Sequence, residues 1–139
     1  MSWGYWMIKV DTIMNLIDWN NSIEEQAQGI ALAKDVKCIS AFLQPCNKNY
    51  NKNVWDNCEK ILSERTDDEL APHLLGLMEW LQDMNWPGAF CIFDRLQEYI
   101  DDASYNVAFD SSLKHAQALE DAVWEDNLRM LQMQKNSPI

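Results

Sequence analysis

Carboxylates are the residues of this chain whose types and spacing could do chemistry. Paired carboxylates can act as general acid and general base when their environments drive their pKa values apart. The candidates fall in the second half of the chain: Asp67, Asp68, Glu69, Asp83, Asp101, Asp102, Glu120, Asp121, Glu125 and Asp126. Most of them sit at predicted helix starts or on polar helix faces, where negative charge near a helix N-terminus is stabilising without any catalysis.

Cysteine and histidine could supply a second kind of chemistry. A thiol beside an imidazole can become a nucleophile, and Cys91 with His73 or His115 is the available combination. The sequence does not bring these residues together, and the two histidines lack the i, i+4 spacing of a zinc site. There is also no Gly-rich phosphate loop. We therefore predict that the protein is not an enzyme and that it binds neither a metal ion nor a cofactor.

The four cysteines lie at irregular spacings without a Cys-x-x-Cys pair. Cys58 and Cys91 fall on apolar helical faces and are predicted to be small buried hydrophobic residues. Two disulfides are formally possible, but the absence of a secretory signal favours reduced thiols. The cysteines are Cys38, Cys46, Cys58 and Cys91.

The apolar cluster at Trp3 to Ile8 is much shorter than the roughly 20 residues of a membrane-spanning helix. We expect a cytoplasmic protein.

The elements that must position the carboxylates are helices. In the first half of the chain, the apolar spacing predicts a helix over residues 6–19 and a second helix from a capping box at Ser22 and Glu25 to about Ala33. A short helix over residues 36–43, stopped by Pro45, is also predicted. The expected faces contain Trp6, Val10, Ile13 and Ile17, then Ile23, Ala27, Ile30 and Ala31, then Val36, Ile39, Ala41 and Phe42. Residues 46–52 are predicted to be a mobile loop.

In the second half, a helix beginning near residue 53 is predicted to pair with a continuous helix that starts at Asp67 behind a Thr66–Glu69 capping box. Pro87 suits the first turn of the next helix. The expected apolar faces contain Val54, Cys58, Ile61 and Leu62; Leu70, Leu74, Leu77, Met78 and Leu81; Ala89, Ile92, Phe93, Leu96 and Ile100; and Trp124, Leu128 and Leu131. The result is two antiparallel hairpins, at 53–82 and 87 to about 120, followed by a terminal helix.

This order predicts a single all-α domain over residues 1–139 with roughly six or seven helices. Stacked antiparallel hairpins give a HEAT-like α-solenoid, because each helix pair buries its apolar face on its neighbours. No consensus recurs at a fixed period, so an irregular helical bundle is the alternative.

Trp80 and Trp86 flank the short connector between the two predicted hairpins. Buried between helices, their rings would clamp the turn. Exposed on the surface, they would act as aromatic anchors of an interface.

Two segments carry a family resemblance. The run from Glu64 to Leu70, Glu-Arg-Thr-Asp-Asp-Glu-Leu, and the run from Glu79 to Pro87, Glu-Trp-Leu-Gln-Asp-Met-Asn-Trp-Pro, resemble a family of small bacterial proteins catalogued only as a domain of unknown function. The resemblance is most specific over residues 53–100. It implies a helical, HEAT-like fold and, for some members, a place among candidate immunity proteins of bacterial toxin systems. It implies no catalytic residues.

Charge is unevenly distributed along the chain. Residues 1–66 carry seven basic and eight acidic side chains, a net charge of −1, whereas residues 67–139 carry four basic and fourteen acidic side chains, a net charge of −10. Such a surface disfavours nucleic acid and anionic membranes and attracts a basic protein. A plainer interpretation is that the acidity keeps a small protein soluble.

These observations favour a non-catalytic protein-binding module, and with the family resemblance they favour an immunity protein that binds a basic cognate toxin. The ten carboxylates named first form the set from which its interface would be drawn. A general helical scaffold or adaptor protein without a toxin partner is the alternative.

Overall fold

The computed structural model describes residues 3–47 and 50–136, and the side chains of residues 9–45 and 50–136. These residues form an all-α helical bundle, and no strand occurs in the described part of the chain. The α-helices are α1 (Trp3–Leu16), α2 (Ile23–Ala33), α3 (Gln44–Asn47), α4 (Trp55–Ser63), α5 (Asp67–Leu70), α6 (Leu74–Glu79), α7 (Ala89–Gln97), α8 (Asp102–Ala118) and α9 (Ala122–Lys135). Short 3₁₀ turns occur at Ile39–Phe42, Lys52–Val54, Ala71–His73 and Trp80–Gln82.

The first two helices pack closely at Gly29 of α2. A Cβ atom added there would lie 2.6 Å from Ile17 Cγ2 and 2.9 Å from Leu16 Cβ, so a larger residue would force the chain segments apart. The predicted capping box is confirmed, since Ser22 Oγ accepts from the Glu25 N–H and Glu25 Oε1 accepts from the Ser22 N–H.

The predicted buried face of α2 is wrong except at Ile30, which is partly buried against the core. Ile23 is 81% exposed, and Ala27 and Ala31 are exposed as well, whereas Gly29 and Ala33 are buried. The helix is rotated so that Gly29, its smallest residue, packs against Leu16 and Ile17. The predicted first-helix face is confirmed for Val10, Ile13 and Ile17, and the side chain of Trp6 lies outside the described residues.

Prolines mark three further differences. Pro45 lies in the first turn of α3 and does not stop a helix, since its missing N–H has no helical partner there. Pro72 converts the predicted continuous helix after Asp67 into α5, a 3₁₀ turn and α6, because proline cannot donate to the preceding turn. Pro87 precedes α7 instead of entering it. The predicted loop at 46–52 extends outside the described residues and is otherwise partly helical.

Most of the predicted faces of α4 and its successors are nevertheless confirmed. Their predicted apolar residues are nearly all buried, including Leu62 and Met78 at 0% exposure. Ile100 is the exception at 81%, because α7 ends at Gln97 and the chain turns before the predicted stripe is complete.

Tertiary pairing follows chain order only in part. The consecutive pairs α1–α2 and α8–α9 pack together, but α4 packs against α7, the 39–42 turn and α2 instead of the helices after Asp67, and α8 also packs against α6. The predicted pairing of consecutive helices in two hairpins is therefore wrong, and the irregular bundle is the better description. Trp124 Nε1 donates to Met78 O at 3.1 Å and Asn127 Nδ2 donates to Leu81 O at 2.7 Å, which joins α9 to the α6 region.

The tryptophan junction, formed by Trp55, Trp80 and Trp86, joins α4 to the connector before α7. The Trp55 ring lies edge-on to Trp80 at 5.9 Å and to Trp86 at 5.4 Å between centroids. Trp80 is fully buried and donates to Pro87 O at 2.9 Å, while Trp86 is half-buried. The predicted burial is therefore confirmed for Trp80, whereas Trp86 is buried only in part and packs on Trp55 of α4.

Gly88 completes this junction. Its φ of +85° lies in the left-handed region, and an added Cβ would approach Glu59 Cβ to 2.8 Å. Only glycine fits this turn without strain.

None of the helices in the described residues is long and apolar enough to span a membrane.

Candidate functional site

Two acidic runs that are distant in the sequence meet at the N-terminal ends of α5 and α8. Asp67 Oδ2 accepts a hydrogen bond from the Ile100 N–H at 3.0 Å, which puts Asp67 and Asp68 beside Asp101 and Asp102. The sequence alone did not indicate which candidate carboxylates share a surface. The structure brings these four together.

The Asp67 carboxylate forms bonds that stabilise the fold. Its Oδ1 lies 2.6 Å from Arg95 Nη2, and Arg95 also donates to Ser63 O and Arg65 O, so α7 is tied to the turn between α4 and α5. Partial burial opposes ionisation of Asp67, but the hydrogen bonds from Ile100 and Arg95 outweigh it and lower the pKa. The Asp67 carboxylate is therefore a structural anion at the end of the site.

Glu69 and Asp101 cap helices. Glu69 completes the predicted capping box with Thr66 and forms an ion pair with Arg65 at 3.0 Å. Asp101 Oδ1 accepts from the Ala103 N–H at 3.1 Å, and its Oδ2 accepts from Ser104 Oγ at 2.9 Å. Both carboxylates begin their helices, as expected for anions at N-terminal ends.

Asp68 and Asp102 are exposed and form no hydrogen bond or ion pair within residues 3–47 and 50–136. Neither carboxylate forms an ion pair there, although Lys135 lines the same small cavity as Asp102. The charge of both carboxylates remains accessible to an outside partner.

Tyr99, which is 2% exposed, responds to this concentration of charge. Burial raises the pKa of Tyr99 most, its hydrogen bond with Ser104 opposes this effect, and the negative charges of Asp101, Asp67 and Asp68 add smaller increases. One buried phenol thus lies in the field of three of the predicted carboxylates.

An apolar groove starts at this acidic end. It lies between residues 71–75 and α8 and has a volume of about 460 Å³. Its walls include Leu75, which is 50% exposed, and Val107, which is 70% exposed. Ala71 and Ser104 line the end next to the carboxylates, and Ser104 is the hydrogen-bond partner of Asp101. We call this cavity, together with Asp68, Asp101 and Asp102 beside its end, the acidic groove. The three carboxylates flank the cavity and do not line it, and Asp102 also borders a second cavity that contains Lys135.

The remaining candidate carboxylates lie elsewhere. Glu120, Asp121, Glu125 and Asp126 follow the opposite end of α8, which at 17 residues is about 25 Å long. Asp121 caps α9 by accepting from the Trp124 N–H at 3.0 Å, and Glu125 forms an ion pair with Arg129 at 2.8 Å. Of this set, the carboxylates of Glu120 and Asp126 form no hydrogen bond or ion pair within the described residues.

Asp83 accepts from the Asn85 N–H at 2.8 Å and so shapes the connector between the 80–82 turn and α7. The hydrogen bond between Asn127 and Leu81 puts this turn beside α9, away from the N-terminal end of α8. The ten predicted site residues therefore do not form one patch.

Glu120 occupies an unusual backbone position, with a φ of +53°. Its N–H donates to Gln117 O and the next N–H, of Asp121, donates to Ala116 O, which is the Schellman arrangement at the end of α8. Glycine is the usual residue there, so Glu120 is held at some cost in backbone strain.

The predicted Cys91 site has a different geometry. Cys91 is exposed, so the prediction that it is buried is wrong, while Cys58 is buried as predicted. Partial desolvation, followed by hydrogen bonding to Glu59 and nearby carboxylate charge, raises the pKa of Cys91 to about 11, which keeps the thiol protonated at neutral pH. His115 packs its ring against Trp124 at 5.4 Å. No group of three or more His, Cys, Asp and Glu within the described residues is arranged to hold a metal ion.

Sequence reasoning missed the apolar part of the groove. Ala103, Val107 and Ser111 recur at i, i+4 and i+8 on α8, opposite the buried Tyr105 and Phe109. This second stripe is visible in the sequence, but its small side chains are also typical of a solvent-exposed helix face.

Comparison with known proteins identifies one relationship. Residues 50–137, more than half of the chain, match the family model described as "Domain of unknown function (DUF5071)". The matched segment contains both the tryptophan junction and the acidic groove. The chain matches no curated protein and no solved structure at a significant level.

Proposed function

The chain belongs to the DUF5071 family of domains of unknown function, and from this premise we propose that it is a non-catalytic protein-binding module for a basic protein. In its most specific version, the proposal is that the chain is a cytoplasmic immunity protein. Such a protein would neutralise a cognate bacterial toxin by occupying the toxin's active site or substrate groove. One observation carries this proposal: the Asp67–Ile100 hydrogen bond assembles two acidic runs into a single surface beside an apolar groove.

Electrostatics supports the kind of partner. Asp68 and Asp102 form no ion pair within the described residues, and the half of the chain that contains them has a net charge of −10. Complementary charge steers a basic partner towards such a surface and speeds association. Nucleic acid and anionic membranes would be repelled.

The mechanism is stoichiometric binding. Lysine and arginine side chains of the toxin would meet Asp68 and Asp102, and apolar toxin side chains would enter the groove beside Leu75 and Val107. Toxins that act on nucleic acid need basic substrate grooves, so the same charges that bind their substrate would bind this protein. Occupied in this way, the toxin cannot reach its substrate.

A scaffold or adaptor without a toxin partner is the second proposal, because a separate apolar surface exists. Val123, Met130 and Met133 lie on the outer face of α9 and are 61%, 46% and 66% exposed. Exposed methionines suit adaptable binding surfaces. Two distinct surfaces would allow a scaffold to hold two partners.

Two charge-reversal variants test the proposal. Asp68→Lys with Asp102→Lys changes the acidic groove, and Glu120→Lys with Asp126→Lys makes the same change in net charge at the far end of α8. All four side chains lack a bond within the described residues, so folding should survive in both variants, which circular dichroism would verify. Asp67, Asp101, Asp121 and Glu125 are left intact because they stabilise the fold.

The protein and the product of its neighbouring gene would be coexpressed, and toxicity and complex formation would be measured. We expect the groove variant to lose protection and the far-end variant to keep it. Equal protection by both variants would refute binding through this surface. A neighbouring gene without toxicity, together with partners bound through α9, would favour the scaffold.

A further inference from the structure

We propose that the acidic groove receives an amphipathic helix of the basic partner, with its basic residues placed one turn before two apolar anchors. This inference rests on the proposed function and specifies the shape and residue order of what is bound. It starts from the apolar cavity of about 460 Å³ between residues 71–75 and α8.

The length of the groove sets the length of the anchor segment. On α8 the lining runs from Ala103 to Ser111, which corresponds to about 12 Å of helix or slightly more than two turns. Ala103, Val107 and Ser111 form an i, i+4, i+8 row, the kind of ridge against which another helix packs. A bound helix can therefore bury apolar residues from two successive turns.

The exposed apolar side chains supply the driving force. Leu75 is 50% exposed and Val107 is 70% exposed, on opposite sides of the cavity whose floor includes the buried Leu74 and Ala108. Covering such side chains removes apolar surface from water. An apolar anchor between them would contact both side chains.

Charge sets the direction of the bound helix. Asp68, Asp101 and Asp102 lie at the end of the groove lined by Ala71 and Ser104, and the exposed Lys114 lies one turn beyond Ser111 at the other end. The exposed Asp110 is next to Ser111 and offsets Lys114, so the groove runs from negative to nearly neutral. Basic residues of the partner belong over the carboxylates, and an uncharged end belongs near Lys114 and Asp110.

The same charges disfavour a second copy of this chain as the occupant. Residues 67–139 have a net charge of −10, so two copies that met through this surface would bring like charges together. A basic partner meets no such penalty. The expected occupant of the groove is therefore a basic helix from another protein.

Two synthetic helical peptides of identical composition would probe the groove. In the first, three lysines precede two leucines spaced at i and i+4; in the second, the same residues are arranged so that leucines and lysines fall on opposite faces. Fluorescence anisotropy would measure the affinity of each peptide for the full chain. We expect the first peptide to bind at least tenfold more tightly.

A matched pair of valine variants locates the binding. Val107→Lys blocks the groove, whereas Val123→Lys introduces the same charge on the outer face of α9, where Val123 is 61% exposed. The preference for the first peptide should disappear in Val107→Lys and persist in Val123→Lys. Equal affinities for the two peptides, no binding of either, or equal effects of the two variants would overturn the inference.

Sedimentation of the chain alone would detect self-association, and a dimer dispersed by Val107→Lys would also overturn the inference, since the occupant would be a second copy. Binding of the coexpressed toxin separates this inference from the proposed function. If toxin binding is lost in the Asp68→Lys, Asp102→Lys variant but unchanged in Val107→Lys, the helix inference fails and the proposed function stands. If the charge reversal has no effect either, the proposed function fails as well.

Discussion

The tryptophan junction and the acidic groove both contain large apolar and acidic side chains. Most of these side chains are buried in the junction and exposed in the groove. In the junction, the Trp55 ring contacts both Trp80 and Trp86, and the buried Glu59 lies beneath the glycine turn. In the groove, Leu75, Val107 and the carboxylates of Asp68 and Asp102 remain exposed. The difference teaches that a large apolar or acidic side chain shows a binding role only where the fold leaves it without a partner.

The largest expected effect lies in the junction. Trp80→Ala should lower the free energy of unfolding by about 3–5 kcal/mol, the range for truncating a buried aromatic residue. Trp86→Ala should cost roughly half as much, because its ring is half-buried. Val107→Ala in the groove should change stability by less than about 0.5 kcal/mol. Urea denaturation measures all three, and a Trp80→Ala midpoint equal to that of Val107→Ala would remove the distinction between the two regions.

Asp67 and Asp68 sharpen the comparison within one acidic run. Asp67→Asn should destabilise the fold by about 1.5–3 kcal/mol, since it weakens a charged hydrogen bond to the part-buried Arg95, whereas Asp68→Asn should be nearly neutral. The folded-state pKa of Asp67 is lowered, so its stabilisation is present above its unfolded pKa and is lost as pH falls through the folded value. Denaturation midpoints between pH 7 and pH 3 should converge for wild type and Asp67→Asn, and parallel curves would disprove this.

Glu59 gives the opposite pH dependence in the junction. It is 3% exposed, and burial raises its pKa despite hydrogen bonds from Ser63 and Cys91. A raised folded-state pKa means that its contribution is most favourable below the unfolded pKa of about 4.5 and declines as pH rises through the folded value. Glu59→Gln should therefore gain stability relative to wild type between pH 5 and pH 8. Thermal unfolding that shows a constant difference over this interval would contradict a buried titrating carboxylate.

Glu120 provides the smallest effect. Glu120→Gly should stabilise the fold by about 0.5–1 kcal/mol, because glycine adopts the left-handed backbone at the end of α8 without strain. Glu120→Ala is the control, since it removes the charge but keeps the strain. Chemical denaturation should separate the two variants, and equal stabilities would mean that the backbone at Glu120 is not strained.

Local signals in the sequence predicted the helices well. The capping boxes at Ser22 and Thr66 formed as expected, because each depends only on residues three apart in the chain. The pairing of α4 with α7, and the rotation of α2 towards Gly29, depend on how helices that are distant in sequence fill space together. No local pattern contains that information.

The candidate site was predicted in composition but not in geometry. Net charge identified the acidic half, and Asp68, Asp101 and Asp102 were in the predicted set. Their assembly depends on a bond between Asp67 and a backbone N–H 33 residues away, which sequence spacing cannot show. The caps formed by Asp101 and Asp121 likewise became distinguishable from the unbonded carboxylates only in three dimensions.

The central claim is that a basic partner associates through the acidic groove and not through acidity in general. Its most direct test is the association rate of the purified toxin, measured by stopped-flow fluorescence at increasing ionic strength, with wild type, the Asp68→Lys, Asp102→Lys variant and the Glu120→Lys, Asp126→Lys variant. We predict a steep decrease with salt for wild type and the far-end variant, and at least tenfold slower, nearly salt-independent association for the groove variant. Equal rates and equal salt dependence for the two reversed variants would contradict the claim.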